Sequence, residues 1–240
     1  MSGMKAVILA AGKGTRMKSE LPKVLHTVKG RTMVEYVIDA AKGAGADSIC
    51  VIVGYKGEMV RESLKDASVS YAEQTEQLGT GHAVKCAADF IGTEGDTLIL
   101  CGDTPLITSD TLKKLYERHV ANGNSVTVLS AIFENPFGYG RIIKDAEGSF
   151  RAIVEQKDCT EDEAKVQEVN SGMYLFNSEM LSKALGMLTN DNAQGEYYLT
   201  DTIEIIKNLG GKVEAMPVED KNEIMGVNTV DQLAEAESLI

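Results

Sequence analysis

Residues 9–23 of the chain read LAAGKGTRMKSELPK, a glycine-rich turn that leaves an apolar strand and carries Arg16 and Lys23 just beyond it. The run ahead of the turn, Ala6-Val7-Ile8-Leu9-Ala10, is short and continuously apolar, the pattern of a strand buried on both faces. Gly12 and Gly14 lack a Cβ, so the backbone there turns sharply and approaches a ligand closely. Free backbone N–H groups in such a turn form an anion site, and Lys13, Arg16 and Lys23 add positive charge. The segment is suited to hold phosphates, yet it matches neither common phosphate loop. A P-loop requires glycine, four residues, then Gly-Lys-Ser/Thr, whereas Gly12 and Gly14 stand two apart and no such spacing follows. A dinucleotide fingerprint places a third glycine three residues after Gly14, where this chain has Met17.

The charge balance points the same way. The 240 residues carry a net charge of −12, which argues against nucleic acid or an anionic membrane as partner. Residues 1–31 nevertheless hold seven Lys/Arg against one acid, Glu20, so an acidic protein keeps its cations around the glycine loop. That distribution suits a small polyanionic ligand, with Lys18, Lys29 and Arg31 read as solvated rather than functional. Apolar residues make up 43% and charged residues 25%, ordinary values for a globular protein. No apolar run approaches the roughly 18 residues of a membrane span, and the N-terminal apolar stretch is too short for a signal peptide. Met1-Ser2-Gly3 reads as an extension ahead of the fold. Cys50, Cys86, Cys101 and Cys159 show no Cys-x-x-Cys spacing, so reduced thiols in a cytoplasmic protein are expected rather than a metal or disulfide framework.

Strand and helix patterns alternate through the first half. Residues 32–42 place Val34, Val37, Ile38 and Ala41 on one helical face; 48–53 and 96–101 read as buried strands, and 57–65 as a short helix. Thr108 reads as the cap of a helix with Leu112, Leu115, Tyr116 and His119 at spacings of three and four, and His119 on that stripe reads as structural. Such units predict an α/β fold, a Rossmann-like mixed and mostly parallel sheet flanked by helices. In the second half, 125–133, 140–145, the alternating 149–155 and 169–176 read as strands, with a hairpin at Ala146-Glu147-Gly148, an antiparallel addition to the sheet. Asp201 with Glu204 opens another helix, and Thr229 with Gln232 fits a capping box for the last one. The chain reads as one domain over 4–240, with parts at 4–107 and 108–228 and a final helix at 229–240.

Gly-x-Gly-Thr-Arg-Met followed by Pro22-Lys23 resembles the signature of the sugar nucleotidyltransferases. Further segments narrow the likeness: EQLGTGHA at 76–83, CGDTPL at 101–106, GYGRI at 138–142, IVEQKD at 153–158, EVNSGMY at 168–174, NAQGEYYLTD at 192–201 and GVNT at 226–229. Together they resemble the uridyltransferase domains of the bacterial N-acetylglucosamine-1-phosphate uridyltransferases, in order and over essentially the whole chain. The resemblance implies a nucleotide-diphospho-sugar transferase fold, with 4–107 mainly nucleotide-binding and 108–228 mainly sugar-binding, and transfer of UMP from UTP to N-acetylglucosamine 1-phosphate, with Mg²⁺ as cofactor and a part in cell-wall precursor synthesis. The hexapeptide repeats of a left-handed β-helix, which family members often carry in a C-terminal acetyltransferase domain, are absent from these residues. Because that domain largely holds the family's trimers, a monomer is expected.

Asp103 ends a strand where open α/β sheets place their ligands, although alone it reads equally as a turn residue before Thr104-Pro105. The resemblance supplies Asn228 as the second metal ligand beside Asp103, and Arg16 and Lys23 as groups that stabilise phosphate charge. Nucleotide contacts map onto Leu9, Ala11, Gly12, Gly14, Lys23, Gln74, Gly79 and Thr80, with Cys101, Gly102 and Asp103 after the second buried strand. A Gln amide, donor and acceptor together, suits a uracil edge, but taken alone Gln74 reads as a solvated loop residue. Cys101 stands where family members have Tyr. For the sugar the matching positions are Gly140, Glu155 and Asn170, with Tyr197 and Tyr198 beside them. The alternatives left open are a related transferase for another base or sugar and a non-catalytic regulatory protein that binds nucleotide sugars.

Overall fold

Ala6, Val7 and Ile8 are completely buried at the centre of the first strand, β1 (Met4–Ala10), as a continuous apolar run in an interior strand requires. A computed structural model describes residues 3–192 and 194–240. Met1, Ser2 and Ala193 lie outside the described residues, and with them most of the N-terminal extension and one residue of the 192–201 segment.

Along the first half follow a small hairpin of β2 (Thr27–Val28) and β3 (Arg31–Thr32), α1 (Met33–Gly43), β4 (Ala46–Val53), α2 (Gly57–Ser63), β5 (Ser70–Glu73), α3 (Thr80–Cys86), α4 (Ala88–Ile91) and β6 (Asp96–Cys101). Beyond them come α5 (Ser109–Asn122), β7 (Val126–Ile132), β8 (Arg141–Lys144), β9 (Phe150–Val154), β10 (Glu168–Asn177), α6 (Ser178–Met187), α7 (Asp201–Asn208), β11 (Val213–Pro217) and α8 (Val230–Leu239). The main sheet runs β11-β7-β10-β6-β1-β4-β5, with β8 and β9 paired off β10. The pairs β1–β4, β1–β6, β4–β5 and β7–β11 are parallel, so the mixed, mostly parallel sheet expected from the sequence is present. The antiparallel element is placed differently from a peripheral addition: β10 sits inside the sheet, antiparallel to both β6 and β7.

Side chains along the strands alternate between two cores. Ile8, Val51 and Leu98 pack on one face against α1, α2 and α5, and Val7, Ile52 and Ile99 on the other against α3, α4, α6 and α7. Val34, Val37, Ile38 and Ala41 of α1 are all buried, and each of the larger three is worth about 1.5–3 kcal/mol of burial. The Thr108 hydroxyl accepts from Thr111 N at 3.2 Å, the cap read from the sequence, and Gly123 closes α5 in the left-handed region. His119 is buried against Thr127 Oγ1 at 2.8 Å, a structural role as its stripe predicts. The segment 149–155 departs from clean alternation, because β9 belongs to a two-stranded arm whose outer residues are only half covered. Among the described residues, no helix is long and apolar enough to cross a membrane, and all four cysteines are unpaired.

One half-buried carboxylate ties β11 to α5. Glu214 accepts from Arg118 Nε at 2.9 Å, from Asn122 Nδ2 at 2.7 Å and from Asn124 Nδ2 at 2.9 Å. Burial opposes its charge, but these hydrogen bonds and the Arg118 guanidinium bring its pKa down to about 2, from the usual 4.5. A folded value below the unfolded one means stability that is fully present above about pH 4.5 and lost as pH falls toward 2. Between pH 5 and 3 the wild type is therefore expected to lose roughly 1–2 kcal/mol more than Glu214→Gln, after allowing for the solvent around Arg118. Urea midpoints of the two proteins at the two pH values check it, and equal losses refute it.

Candidate functional site

The carboxyl ends of β1, β4 and β6 lie together, with Ala10 opposite Val53 and Leu9 opposite Cys101, and the glycine loop leaves the middle strand of the three. A Cβ on Gly12 would meet nothing within 4 Å, so the backbone there borders open space. Gly14 adopts φ +62°, and a Cβ on it would fall 2.5 Å from Cβ of Lys23; the glycine lets the loop fold flat against that side chain. Thr15–Met17 make a 3-10 turn that buries Met17 and leaves Arg16 exposed. After Pro22 a second such turn, Lys23–Leu25, buries Val24 and Leu25 and aims Lys23 back toward the loop.

Three distant parts of the chain meet at that ammonium. Lys23 Nζ donates to Asp103 Oδ2 and, at 2.9 Å, to Asn228 Oδ1, while Arg16 donates to the same Asn228 oxygen at 2.8 Å. Asp103 is set by β6: Gly102 N donates to Leu9 O at 3.0 Å, and a Cβ on Gly102 would come within 2.9 Å of that oxygen. Asn228 is set from both sides. Val227 N donates to Asp103 O at 2.9 Å, and Asn228 Nδ2 donates to Gly226 O at 3.1 Å, which fixes the amide with its oxygen toward the cations. Thr229 caps α8 as expected, but Gln232 reaches back to Asn228 N at 2.8 Å, so the box closes one residue earlier than its sequence pattern and holds Asn228.

A cavity of about 370 Å³ opens beside this cluster, lined by Leu9, Ala11, Gly12, Lys23, Gln74, Gly79, Thr80, Cys101 and Asp103 among the residues singled out in the sequence. Gln77 and Glu196 also line it; both stand in segments that carry the family likeness, 76–83 and 192–201, though neither is singled out there as a site residue. A second cavity of about 380 Å³ shares Cys101 and Asp103 and adds Arg16, Tyr139, Ser171 and Asn228. Asp103 thus stands on the border of two adjoining spaces. Gln74 corrects its solvated-loop reading: it is 3% exposed, because its backbone N–H bonds Val53 O at 2.8 Å and draws it under the sheet edge. The segments QLGTGHA and EYYLTD adjoin. Gly81 N donates to Tyr197 O and Tyr197 N to Leu78 O, both at 2.8 Å, and Leu199 N donates to Thr80 Oγ1 at 3.1 Å. Gly79, at φ +103°, lies so close that a Cβ would stand 2.5 Å from Tyr197 O.

Gly140, Glu155 and Asn170 form a second group. Asn170 N donates to Gly140 O at 2.8 Å, and a Cβ on Gly140 would stand 3.3 Å from Glu155 Oε1. The Asn170-Ser171-Gly172 stretch, readable as a turn, is a bulge within β10: the pairing with β7 passes from Asn170–Ser130 to Tyr174–Val128, with Gly172 at φ +77°. Asn170 Oδ1 accepts from Gly172 N at 3.1 Å and its Nδ2 donates to the Tyr174 hydroxyl at 2.8 Å. Cys101 Sγ reaches Gly172 O at 3.6 Å, so the bulge touches the end of β6. Burial, with the Asp103 charge, pushes the Cys101 thiol up to about 12 and keeps it protonated. Glu155 lines a third cavity, of about 530 Å³, with Tyr198 and Asp201; burial first, then the charges of Asp158 and Asp201, raise its carboxyl pKa. Glu223 was not foreseen. Its carboxylate accepts from Thr108 N at 3.0 Å and from the Thr108 and Thr111 hydroxyls at 2.8 Å, fastening the segment that leads to Asn228 onto the start of α5.

A glycine loop stands at the carboxyl edge of a mostly parallel sheet, ringed by two cations, a carboxylate and a carboxamide, an arrangement suited to a phosphate-bearing ligand. The chain belongs to the nucleotidyl transferase family, which its residues 5–234 match. It is 55% identical over all 240 residues to the bifunctional protein GlmU of Caldanaerobacter subterraneus subsp. tengcongensis, covering 52% of that relative. It is 50% identical over 236 residues (98% of the chain) to that of Clostridioides difficile, covering 51%. The chain thus spans about half the length of the curated relatives it matches. Its fold superposes, with a TM-score of 0.80 and 19% identity, on a structure of UDP-glucose pyrophosphorylase complexed with UDP-glucose, covering 100% of this chain and 98% of that one.

Proposed function

We propose that this chain transfers UMP from UTP to N-acetylglucosamine 1-phosphate, giving UDP-N-acetylglucosamine and pyrophosphate. The observation that carries the reading is the meeting of Arg16, Lys23, Asp103 and Asn228 beside the open glycine loop. The choice of base and sugar is supported by the likeness, over the full chain, to the GlmU proteins.

The acceptor phosphate oxygen is already anionic, so attack on the α-phosphorus of UTP requires no general base. The new P–O bond forms as the bond to the pyrophosphate oxygen breaks in line with it. Catalysis is then positioning and charge stabilisation. In this reading Lys23 and Arg16 hold negative charge on the α-phosphate and on the leaving pyrophosphate. Backbone N–H groups of the Gly12–Gly14 loop hold phosphate oxygens. Leu9, Ala11, Gln74, Gly79 and Thr80 face the nucleoside, with Cys101 and Gly102 closing the floor. Gly140, Glu155 and Asn170 hold the sugar, so residues 4–107 serve mainly the nucleotide and 108–228 mainly the acceptor.

The donor set fits Mg²⁺. Asp103 and Asn228 aim two hard oxygens at one point, where the Lys23 ammonium already finds a cation's place, and Mg²⁺ commonly takes few protein ligands and keeps water and phosphate oxygens. Among the described residues no group of three or more His, Cys, Asp or Glu gathers as a fuller cage would require. Asp103 and Asn228 would hold the ion; when bound, Mg²⁺ supplies neutralisation of phosphate charge.

The test is pyrophosphate release with the four nucleoside triphosphates against several sugar 1-phosphates. Turnover is expected with UTP and N-acetylglucosamine 1-phosphate, lost with EDTA and restored by excess Mg²⁺. Activity confined to CTP or GTP overturns the assignment of base, and nucleotide-sugar binding without any pyrophosphate release points to a regulatory protein.

A further inference from the structure

The wall of the loop-side cavity is backed by a histidine that the reaction above does not use. The Gln74 side-chain nitrogen lies 3.0 Å from Gly79 O and 3.2 Å from His82 Nδ1. A backbone carbonyl oxygen only accepts, so the Gln74 atom facing it is the NH₂, and the amide cannot be turned over without losing that bond. One of its two hydrogens goes to Gly79. The other points at His82 Nδ1, which then acts as the acceptor nitrogen of a neutral ring. With both hydrogens engaged, Gln74 has only its carbonyl oxygen left for a ligand in the cavity that it lines. His82 stands in the first turn of α3, a turn tied by Gly81 N to Tyr197 O at 2.8 Å, and its ring lies 6.3 Å from that of Tyr197.

We propose that His82 is a positioning residue that holds Gln74 with its nitrogen turned away and its oxygen presented. The base subsite then favours a pyrimidine with an N–H in its ring over one with a bare ring nitrogen. Uracil carries that hydrogen at N3, whereas cytosine has a lone pair there and meets the Gln74 oxygen unfavourably. The inference rests on the nucleotidyl-transfer reading. Removing the His82 acceptor leaves one Gln74 N–H without a partner and the amide held by the Gly79 bond alone, so turning it over costs one hydrogen bond instead of two and part of the discrimination is lost.

The experiment compares wild type with His82→Phe, His82→Ala and His82→Asn, measuring kcat and KM for UTP and CTP. An asparagine oxygen can replace Nδ1 as acceptor. His82→Phe and His82→Ala are expected to raise the UTP KM about tenfold with kcat within about twofold, and to lower the UTP-over-CTP preference by a similar factor. His82→Asn is expected to keep the wild-type preference. An unchanged preference in His82→Phe or in His82→Ala, whichever folds, overturns the proposal, as does an equal loss in His82→Asn. Calorimetric Kd values for UTP and CTP on the same proteins give the preference without turnover. A wild type that binds UTP yet releases no pyrophosphate therefore overturns the catalytic reading alone, and the His82 comparison still decides this one.

Discussion

Lys23→Ala lowers pyrophosphate-forming turnover by about 10²–10³-fold, the usual effect of removing one preorganised charge from a phosphoryl-transfer site. The lysine is held for the purpose by its surroundings. Pro22 starts the turn that carries it, the buried Val24 and Leu25 anchor that turn, and Gly14 packs along its stem. Its ammonium lies between Asp103 and Asn228 and at the edge of the cavity. The fold survives, because side chains at both ends of the pair keep 17% exposure and water can replace the lost contact. A stability loss of about 1–2 kcal/mol is expected, a few degrees in melting temperature for a chain of this size. Single-turnover rates beside a melting curve check both halves of the statement. Near wild-type turnover in a folded Lys23→Ala protein refutes the role.

Asp103→Ala is expected to be at least as damaging, with a loss on the order of 10³-fold or more, since among the described residues no other carboxylate lines both cavities. Asn228 stays in place, because Val227 N is held by the backbone oxygen of residue 103 and not by its side chain. Asp103→Asn separates charge from shape. It can still accept from Lys23 but carries no negative charge, and its turnover is expected to stay as low as that of Asp103→Ala. The distinguishing readout is the Mg²⁺ concentration for half-maximal rate, which rises steeply in both Asp103 variants and little in Lys23→Ala. Recovery of turnover in Asp103→Asn at ordinary Mg²⁺ concentrations overturns the assignment.

Parts of the molecule buried on two faces were legible in the sequence because burial leaves a pattern. β6 spans Asp96–Cys101, the bounds its apolar run predicts, and the α1 stripe is buried at every position singled out. Edge strands left no such pattern. Ser70–Glu73 and Val213–Pro217 are only partly covered and mix polar with apolar residues, and neither reads as a strand. Glycines at 79 and 81 hide the start of α3, and α6 begins straight after β10 on an Asn177 cap, with no loop to mark the change. Within the site, Gly12, Arg16 and Lys23 share one stretch and declare themselves. The approach of Asp103 and Asn228 to Lys23 crosses 80 and 205 residues, and resemblance alone had joined them to the loop. Nothing local marks Glu223 as the residue that fastens the Asn228 segment to Thr108, 115 positions away.

The place of β10 bears on how the protein comes off the ribosome. The strands on one side of it, β6, β1, β4 and β5, end at residue 101, while β7 on its other side is complete at 132. Until residues 168–177 emerge, the edge of β6 is a row of free N–H and C=O groups on a sheet already apolar on both faces, and β7 has neither of its neighbours, since β11 at 213–217 is made later still. Nascent chains paused over that interval are the ones most exposed to strand pairing with a neighbour, and closing the gap requires contacts that are distant in sequence and slow to form. Synthesis of ten late residues, rather than completion of the phosphate loop, is the event that joins β7 to the four strands finished before it.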